Sequence, residues 1–255
     1  MEENTAPFAA LVLAGTRPGG DPLAHELGVP HKGLIEFGGE ASLARVVAAL
    51  RQAGAARIAV SCDEAGPIAR LALDLGAETL PAARGPSGSA LAALAAMGAP
   101  MLVTTSDHAL LRPEWVRQCL RDTPGDADLG VMLAERAVIE RAVPGSQRTF
   151  LKFADGQWSG CNLFFLRTDR AKEAMLLWNR LEQDRKQPWR MAFRIGIGML
   201  LRYLTGGLSM ANAIERVGKR IGIEARLVSA EDGLAAVDVD KMRDVELVRS
   251  LVESA

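Results

Sequence analysis

Short apolar runs of strand length alternate with helical segments through the first half of this 255-residue chain. The run from Phe8 to Ala14 is apolar on both alternations, which is typical of a strand buried on both faces of a sheet. A helix is predicted from about Ser42, with Ser42 as its N-cap and an apolar stripe that ends at Leu50. This alternation predicts an α/β fold, in which a mostly parallel central sheet is flanked by helices and binds ligands at the carboxyl ends of its strands.

The second half of the chain is richer in helix. Residues 169–220 are predicted to be helical, with interruptions near Pro188 and at Gly206-Gly207. Strands are predicted near residues 225–228 and 235–238, ahead of a terminal helix. Neither an internal repeat nor a low-complexity linker divides the chain. We therefore predict a single domain over residues 1–255, with residues 169–220 as a helical insertion.

Composition limits the possible classes of partner and compartment. The formal net charge of −1 gives no indication of nucleic-acid binding. Three cysteines without CxxC spacing predict neither a zinc site nor a disulfide framework, which fits a reducing cytoplasm. The acidic N-terminus is unlike a secretory signal, and no apolar run is long and unbroken enough to span a membrane. A soluble, cytoplasmic protein is expected.

A glycine-rich loop follows the first apolar run. It reads Leu13-Ala14-Gly15-Thr16-Arg17-Pro18-Gly19-Gly20, and Lys32 lies further along. Glycines let backbone N–H groups approach phosphate oxygens, and a lysine supplies a mobile cation for a triphosphate. The alternative is an ordinary surface loop with turn glycines, since short glycine motifs often occur without function. The loop is neither a Walker A motif nor a GxGxxG motif that opens a helix.

Aspartates follow two other predicted strands. Asp107 comes straight after the run Met101–Thr105, where a carboxylate can hold Mg²⁺, although an Asp that caps a turn is the alternative. Asp238 and Asp240 are expected to share one face of a strand and to reach the same cleft. Asp240 is also a candidate N-cap for the terminal helix.

Together these segments resemble the MobA-like nucleotidyltransferases of the GT-A superfamily. Members include molybdenum cofactor guanylyltransferases and the cytidylyltransferases of sugar phosphates and alditol phosphates. The resemblance covers nearly the whole chain and is strongest in four segments: Leu13-Ala-Gly15, His31-Lys-Gly-Leu-Ile-Glu-Phe-Gly-Gly39, Thr105-Ser-Asp107 and Asp238-Val-Asp-Lys-Met-Arg-Asp244. It implies the GT-A, Rossmann-like form of the α/β fold.

The resemblance also implies roles for individual residues. Lys32, Asp107 and Arg17 are assigned to catalysis; Lys32 contacts the NTP phosphates, and Asp107 binds Mg²⁺ (or Mn²⁺) together with Asp238 or Asp240. The nucleotide-binding residues are expected to be Leu13, Ala14, Gly15, Thr16, Gly85, Ser87 and Ser89. Ser87 is equally well explained as the N-cap of a helix. Asn162, in a Gly-x-Asn segment, and Lys152, on the neighbouring predicted strand, are assigned to the acceptor.

The glycine loop departs from the family pattern. The usual Arg-Met-Gly is absent, Arg17 comes early, and residues 21–29 form an extension. This departure indicates a different preference for the base or for the acceptor. The expected reaction transfers a nucleoside monophosphate from an NTP to a phosphorylated small-molecule acceptor, with CTP favoured over GTP. The alternatives are a molybdenum cofactor guanylyltransferase, an NDP-sugar glycosyltransferase and a catalytically idle nucleotide-binding module.

A basic and aromatic segment lies inside the predicted insertion. Arg190 and Arg194 are one helical turn apart and can bind an acceptor phosphate together. Two other interpretations stay open for residues 185–207. One is a packed helical subdomain with a solvated basic edge, and the other is contact with a membrane surface.

Overall fold

The computed structural model describes residues 7–16, 19–146, 148–184 and 197–253, and these residues form one central eight-stranded sheet. The strands of this sheet are β1 Phe8–Leu13, β4 Ala55–Cys62, β5 Glu78–Pro81, β6 Met101–Thr105, β7 Leu129–Glu135, β8 Leu151–Phe153, β9 Gly156–Leu166 and β10 Ala225–Ser229. Their order across the sheet is β10-β7-β9-β6-β1-β4-β5, and β8 pairs with β9. A separate two-stranded ribbon pairs β2 Glu36–Phe37 with β3 Glu40–Ala41. Most pairs are parallel, whereas β9 runs antiparallel to β6, β7 and β8.

Helices cover both faces of the sheet. They are α1 Pro22–Glu26, α2 Ser42–Gln52, α3 Pro67–Asp74, α4 Pro86–Met97, α5 Pro113–Asp122, α6 Arg136–Ala142, α7 Lys172–Asp184, α8 Ile197–Leu204, α9 Met210–Arg220 and α10 Met242–Glu253. Short 3-10 turns lie at Lys32–Leu34, Asp169–Ala171 and Gly233–Ala236. The α/β fold with a mostly parallel sheet is therefore confirmed.

The central strand β1 explains why the core has two halves. Ala10 and Val12 belong to one buried cluster, which α2, α3, α5 and α10 cover. Ala9 and Leu11 belong to the other, which α4 and α7 cover. Because successive side chains of a strand point to opposite faces, an apolar residue at every position is what a doubly covered strand needs. The interpretation of the Phe8–Ala14 run as a buried strand is confirmed.

Two local predictions are wrong. Residues 235–238 form no strand; the chain makes the 3-10 turn Gly233–Ala236 and then continues without sheet pairing. β10 already occupies the place beside β7, so this segment crosses α6, where Gly233 packs against backbone atoms of Val138 and Ile139. Ser42 is the first residue of α2 and not its cap, because the N-cap position is taken by Ala41.

The predicted insertion contains helices where the structure describes it. α7 packs against α4, and α9 packs against β10. Residues 185–196 lie outside the described residues, so the membrane-surface interpretation of residues 185–207 stays a prediction. Across the described ranges, no helix has both the length and the apolar character needed to cross a membrane. The division into one domain with an insertion also stays a prediction.

Candidate functional site

The carboxyl ends of three neighbouring strands bring the glycine loop and the Asp107 turn together. After β1, Ala14 donates its N–H to the carbonyl oxygen of Ser61 on β4, at 2.9 Å. Ser106 donates its N–H to the carbonyl oxygen of Leu13, at 3.0 Å. Because parallel strands end at the same edge, residues far apart in sequence begin their loops side by side. The loop after β1 therefore starts next to Asp107.

Lys32 lies between two of the predicted carboxylates. Its Nζ atom is 2.7 Å from Oδ2 of Asp107 and 2.6 Å from Oδ1 of Asp240. The side chains of Lys32 and Asp107 are largely buried, whereas that of Asp240 is 57% exposed. Asp21 adds a third, weaker contact at 3.8 Å. These four residues, Lys32, Asp107, Asp240 and Asp21, form the lysine–carboxylate cluster.

Charges inside the cluster stabilise one another. Burial by itself would lower the pKa of Lys32, but Asp107 and Asp240 raise it above its ordinary value. Burial would raise the pKa of Asp107, but its neighbours, of which the Lys32 ammonium has the largest effect, lower the pKa below its ordinary value. Opposite charges at hydrogen-bonding distance favour the ionised forms of both partners. Lys32 and Asp107 therefore form an ammonium–carboxylate ion pair at neutral pH.

Asp238 belongs to a different set of contacts. Its Oδ1 accepts a hydrogen bond from the Arg148 guanidinium, and its Oδ2 accepts one from Nδ2 of Asn162 at 2.9 Å. Burial raises the pKa of Asp238, and the nearby Arg148 only partly offsets this effect. The expectation that Asp238 and Asp240 share one strand face is wrong, because they flank Val239 in a segment that is not a strand and contact different groups. Both Asp238 oxygens already have side-chain partners.

Asn162 reaches Asp238 through an irregularity in β9. In the pairing of β7 with β9, Met132 lies opposite Leu163 but Leu133 lies opposite Gly160, so Cys161 and Asn162 are extra. Asn162 has φ 50°, in the left-handed region, which asparagine tolerates better than most residues. Such bulges re-aim side chains near functional sites. Here the bulge accompanies the Asn162 amide contact to Asp238.

The segment expected to bind the nucleobase and ribose lies close to the glycine loop. A Cβ on Gly15 would lie 3.4 Å from that of Ala82, so the loop after β5 runs beside the loop after β1. The two serines of this segment take part in internal hydrogen bonds. Ser87 Oγ donates to Glu182 at 2.7 Å and accepts from the amide of Asn179 at 3.1 Å.

Close packing against α7 continues at the start of α4. A Cβ on Gly85 would lie 2.8 Å from Oε2 of Glu182. Ser89 Oγ accepts the N–H of Ala83 at 3.0 Å. Ser87 does not cap α4 with its side chain. The nucleotide-binding role of Gly85, Ser87 and Ser89 stays a prediction, and Glu182 and Asn179 are partners that sequence reasoning missed.

The remaining predicted residues either lie outside the described residues or make no contact with the cluster within them. Arg17, Arg190 and Arg194 lie outside the described residues. Lys152 is exposed on β8 and makes no hydrogen bond or ion pair with the cluster in the described part of the chain. Thr16 is exposed beside Gly15. Of the predicted catalytic residues, the structure brings together Lys32 and Asp107.

Three residues to which the sequence assigned no role in the site support this arrangement. Asp21 caps α1 by accepting the N–H groups of Leu23 and Ala24. Ser42 Oγ donates to the carbonyl oxygen of Ser106 at 2.7 Å and so ties α2 to the Asp107 turn. Arg148 lies in a loop without periodicity, so no sequence signal marked it. The Asp-Pro start of α1 was the one available local signal for Asp21.

The cluster has the chemistry of a divalent cation site. Two carboxylates converge on one cation, and Asp107 Oδ1 is buried without a hydrogen-bond partner in the described residues. Mg²⁺ prefers oxygen ligands and is usually held by one or two carboxylates together with substrate phosphates. Within the described ranges, no three His, Cys, Asp or Glu side chains form a ready-made metal group. Asp107 and Asp240 therefore fit a cation whose remaining ligands come from a bound substrate.

The fold places the chain among the α/β proteins in which a mostly parallel sheet is flanked by helices, as in nucleotidyltransferases. Residues 10–172 match the family described as "MobA-like NTP transferase domain", which is more than half of the chain. The chain belongs to this family of nucleotidyltransferases. A search of curated proteins found no significant match.

Solved structures share the fold over almost the whole chain. A hypothetical transferase from Thermus thermophilus is 29% identical with a TM-score of 0.80, and the alignment covers 94% of this chain and 100% of that one. CMP:2-keto-3-deoxy-manno-octonic acid synthetase complexed with CTP is 16% identical, with a TM-score of 0.57 and coverage of 98% and 99%. The 2-C-methyl-D-erythritol 4-phosphate cytidylyltransferase from Thermus thermophilus is also 16% identical, with a TM-score of 0.55 and coverage of 97% and 100%.

Proposed function

We propose that this protein transfers a nucleoside monophosphate from an NTP to a phosphorylated small-molecule acceptor and releases pyrophosphate. The observation that carries this proposal is the contact of Lys32 with Asp107 and Asp240 at the strand edge where the glycine loop begins. A glycine loop and a lysine suit a polyphosphate, and carboxylates suit its divalent cation. Family membership supports the same reaction.

CTP is the preferred nucleotide in this proposal. The sequence near the predicted acceptor site carries no feature specific to molybdopterin, which disfavours the guanylyltransferase alternative. Two proteins of the same fold support the choice, one solved as a CTP complex and one named as a cytidylyltransferase. The extension at residues 21–29 contributes Asp21 to the cluster, which is one way in which this loop differs from the usual family pattern.

The reaction needs positioning and charge more than covalent help from the protein. An oxygen of the acceptor phosphate attacks the α-phosphorus, the new O–P bond forms, and the bond to the β-phosphate breaks as pyrophosphate leaves. No general base is required because the attacking phosphate is already ionised. Lys32 neutralises charge on the polyphosphate, and backbone N–H groups at Gly15 and Thr16 contact it. A divalent cation held by Asp107 and Asp240 would supply further positive charge.

Pyrophosphate release with each of the four NTPs, across a panel of sugar phosphates, alditol phosphates and molybdopterin, tests this proposal. We expect release with CTP and a sugar or alditol phosphate, and none in the Asp107→Asn variant. Release only with GTP and molybdopterin would support the guanylyltransferase instead. If no NTP gives pyrophosphate and none raises the melting temperature, the proposal is wrong. Cleavage of an NDP-sugar in the same assay would point to a glycosyltransferase.

A further inference from the structure

The Lys32 ammonium occupies the space between the two carboxylates proposed to hold the cation. Nζ lies 2.7 Å from Asp107 and 2.6 Å from Asp240, so those two oxygens can be no farther apart than the sum of these distances. A metal ion bound to both oxygens would have to lie in nearly the same place. Two cations cannot share that space, since each needs the oxygens at contact distance and they repel each other. Binding of a cation to these two oxygens therefore requires Lys32 to leave.

The backbone around Lys32 limits how it can leave. A Cβ on Gly33 would come within 3.0 Å of Ile68 and 3.1 Å of Ser106, so this turn is tightly packed. The N–H of Gly33 also donates to Nδ1 of His31 at 2.9 Å. The backbone of the turn is thus fixed on both sides. The four-carbon side chain of Lys32 must therefore move instead of the backbone. It rotates readily, but its ammonium needs another anion at its new position.

From this geometry we infer that Lys32 makes cation binding at Asp107 and Asp240 conditional on a polyphosphate. Without a nucleotide, the ammonium holds both carboxylates and keeps the cation out. A bound triphosphate gives Lys32 a new anionic partner and leaves the carboxylates free for the cation that accompanies the phosphates. The inference rests on the proposed function in naming the polyphosphate, whereas the exclusion of the cation rests on the contacts alone.

Reciprocity follows from this arrangement. If the polyphosphate raises the affinity for the cation, the cation must raise the affinity for the polyphosphate by the same factor. The side chain of Asp240 is 57% exposed and that of Asp107 is largely buried, so the cation enters from the Asp240 side. Asp21, 3.8 Å from Nζ, adds to the hold on Lys32 in the nucleotide-free state.

Mn²⁺ binding without any nucleotide tests the inference directly. We would titrate the full-length protein with Mn²⁺ and follow free Mn²⁺ by electron paramagnetic resonance, in wild type, Lys32→Gln, Lys32→Met and Lys32→Arg. Lys32→Gln and Lys32→Met should bind Mn²⁺ roughly 10- to 100-fold more tightly than wild type, the factor that one hydrogen bond between charged groups represents. Lys32→Arg keeps the cation and should bind no more tightly than wild type.

Controls separate this inference from the proposed function. Lys219→Gln removes an exposed lysine of α9, a residue with no role in the proposed site, and should bind Mn²⁺ like wild type. Adding Asp107→Asn to Lys32→Gln should abolish the gain, and Mn²⁺ should raise the melting temperature of Lys32→Gln more than that of wild type. Equal or weaker Mn²⁺ binding in both Lys32→Gln and Lys32→Met would overturn the inference. If no NTP gives pyrophosphate and none raises the melting temperature, the proposed function is wrong, but the nucleotide-free Mn²⁺ result still stands.

Discussion

The backbone N–H of Val239 donates to the carbonyl oxygen of Asp107, at 3.1 Å. This hydrogen bond attaches the C-terminal segment to the turn after β6. The two residues on either side of Val239 contact different partners. Asp240 contacts Lys32, and Asp238 contacts Arg148 and Asn162. The position of this segment therefore decides whether the lysine–carboxylate cluster is complete.

Gly233 fixes the start of that segment, so Gly233→Ala should damage both stability and activity. A Cβ there would lie 2.4 Å from the carbonyl oxygen of Val138 and 2.6 Å from Cα of Ile139, and backbone atoms cannot move aside cheaply. We expect a loss of about 1–3 kcal/mol in the free energy of unfolding, as for other overpacked sites. Urea denaturation measures it. Gly198→Ala, on α8, is the matched control and should lose nothing, because a Cβ there would meet no atom of the described residues within 4 Å.

Asp107→Asn should reduce turnover severely while the protein stays folded. The variant loses the buried carboxylate beside Lys32, but Lys32 keeps its contact with Asp240, so no cation is left without a partner. Removal of one preorganised electrostatic contact predicts a fall in turnover of roughly 100-fold or more. Pyrophosphate release and a thermal melt measure the two effects. The exposed Asp74→Asn variant is the control, and near-normal turnover in Asp107→Asn would refute the assignment.

Asp238→Asn should mainly lower stability, whereas Asp240→Asn should mainly lower turnover. Asp238 is the partner of the largely buried Arg148, and leaving that cation unpaired should reduce the free energy of unfolding by about 2 kcal/mol. The side chain of Asp240 is 57% exposed, so its replacement should change stability little but should weaken turnover and its dependence on Mg²⁺. Denaturation curves and Mg²⁺ titrations of activity separate the two. The reverse pattern would mean that Asp238 is the metal ligand.

Asn162 offers a comparison of two substitutions at one position. Both Asn162→Gly and Asn162→Ala lose the hydrogen bond to Asp238, but only alanine must adopt φ 50° with a Cβ. Asn162→Ala should therefore be less stable than Asn162→Gly by about 1 kcal/mol. Equilibrium unfolding in urea measures the difference. If the two variants are equally stable, the bulge does not hold the left-handed conformation in solution.

Part of this site could be predicted from local sequence. The sequence pattern shows the strand or turn that precedes the glycine loop, Lys32 and Asp107. Parallel strands bring their carboxyl ends to one edge of the sheet, which predicts that the segments after them lie close together. The contact of Lys32 with Asp107 agrees with that prediction. The separate roles of Asp238 and Asp240 could not be predicted this way, because the predicted strand that was to align them is absent.

By itself, the sequence determined the α/β class, the buried central strand and the carboxylate after β6, since each depends on a pattern within about ten residues. Only the tertiary structure decided that Lys32 meets Asp240, 208 residues away, and that Arg148 meets Asp238. Contacts between residues so far apart in sequence depend on how helices and strands pack. Which segment packs at a given place depends on every other segment that could also occupy it. β10 took the place beside β7, so the last segment crossed α6 and delivered its two aspartates to different partners.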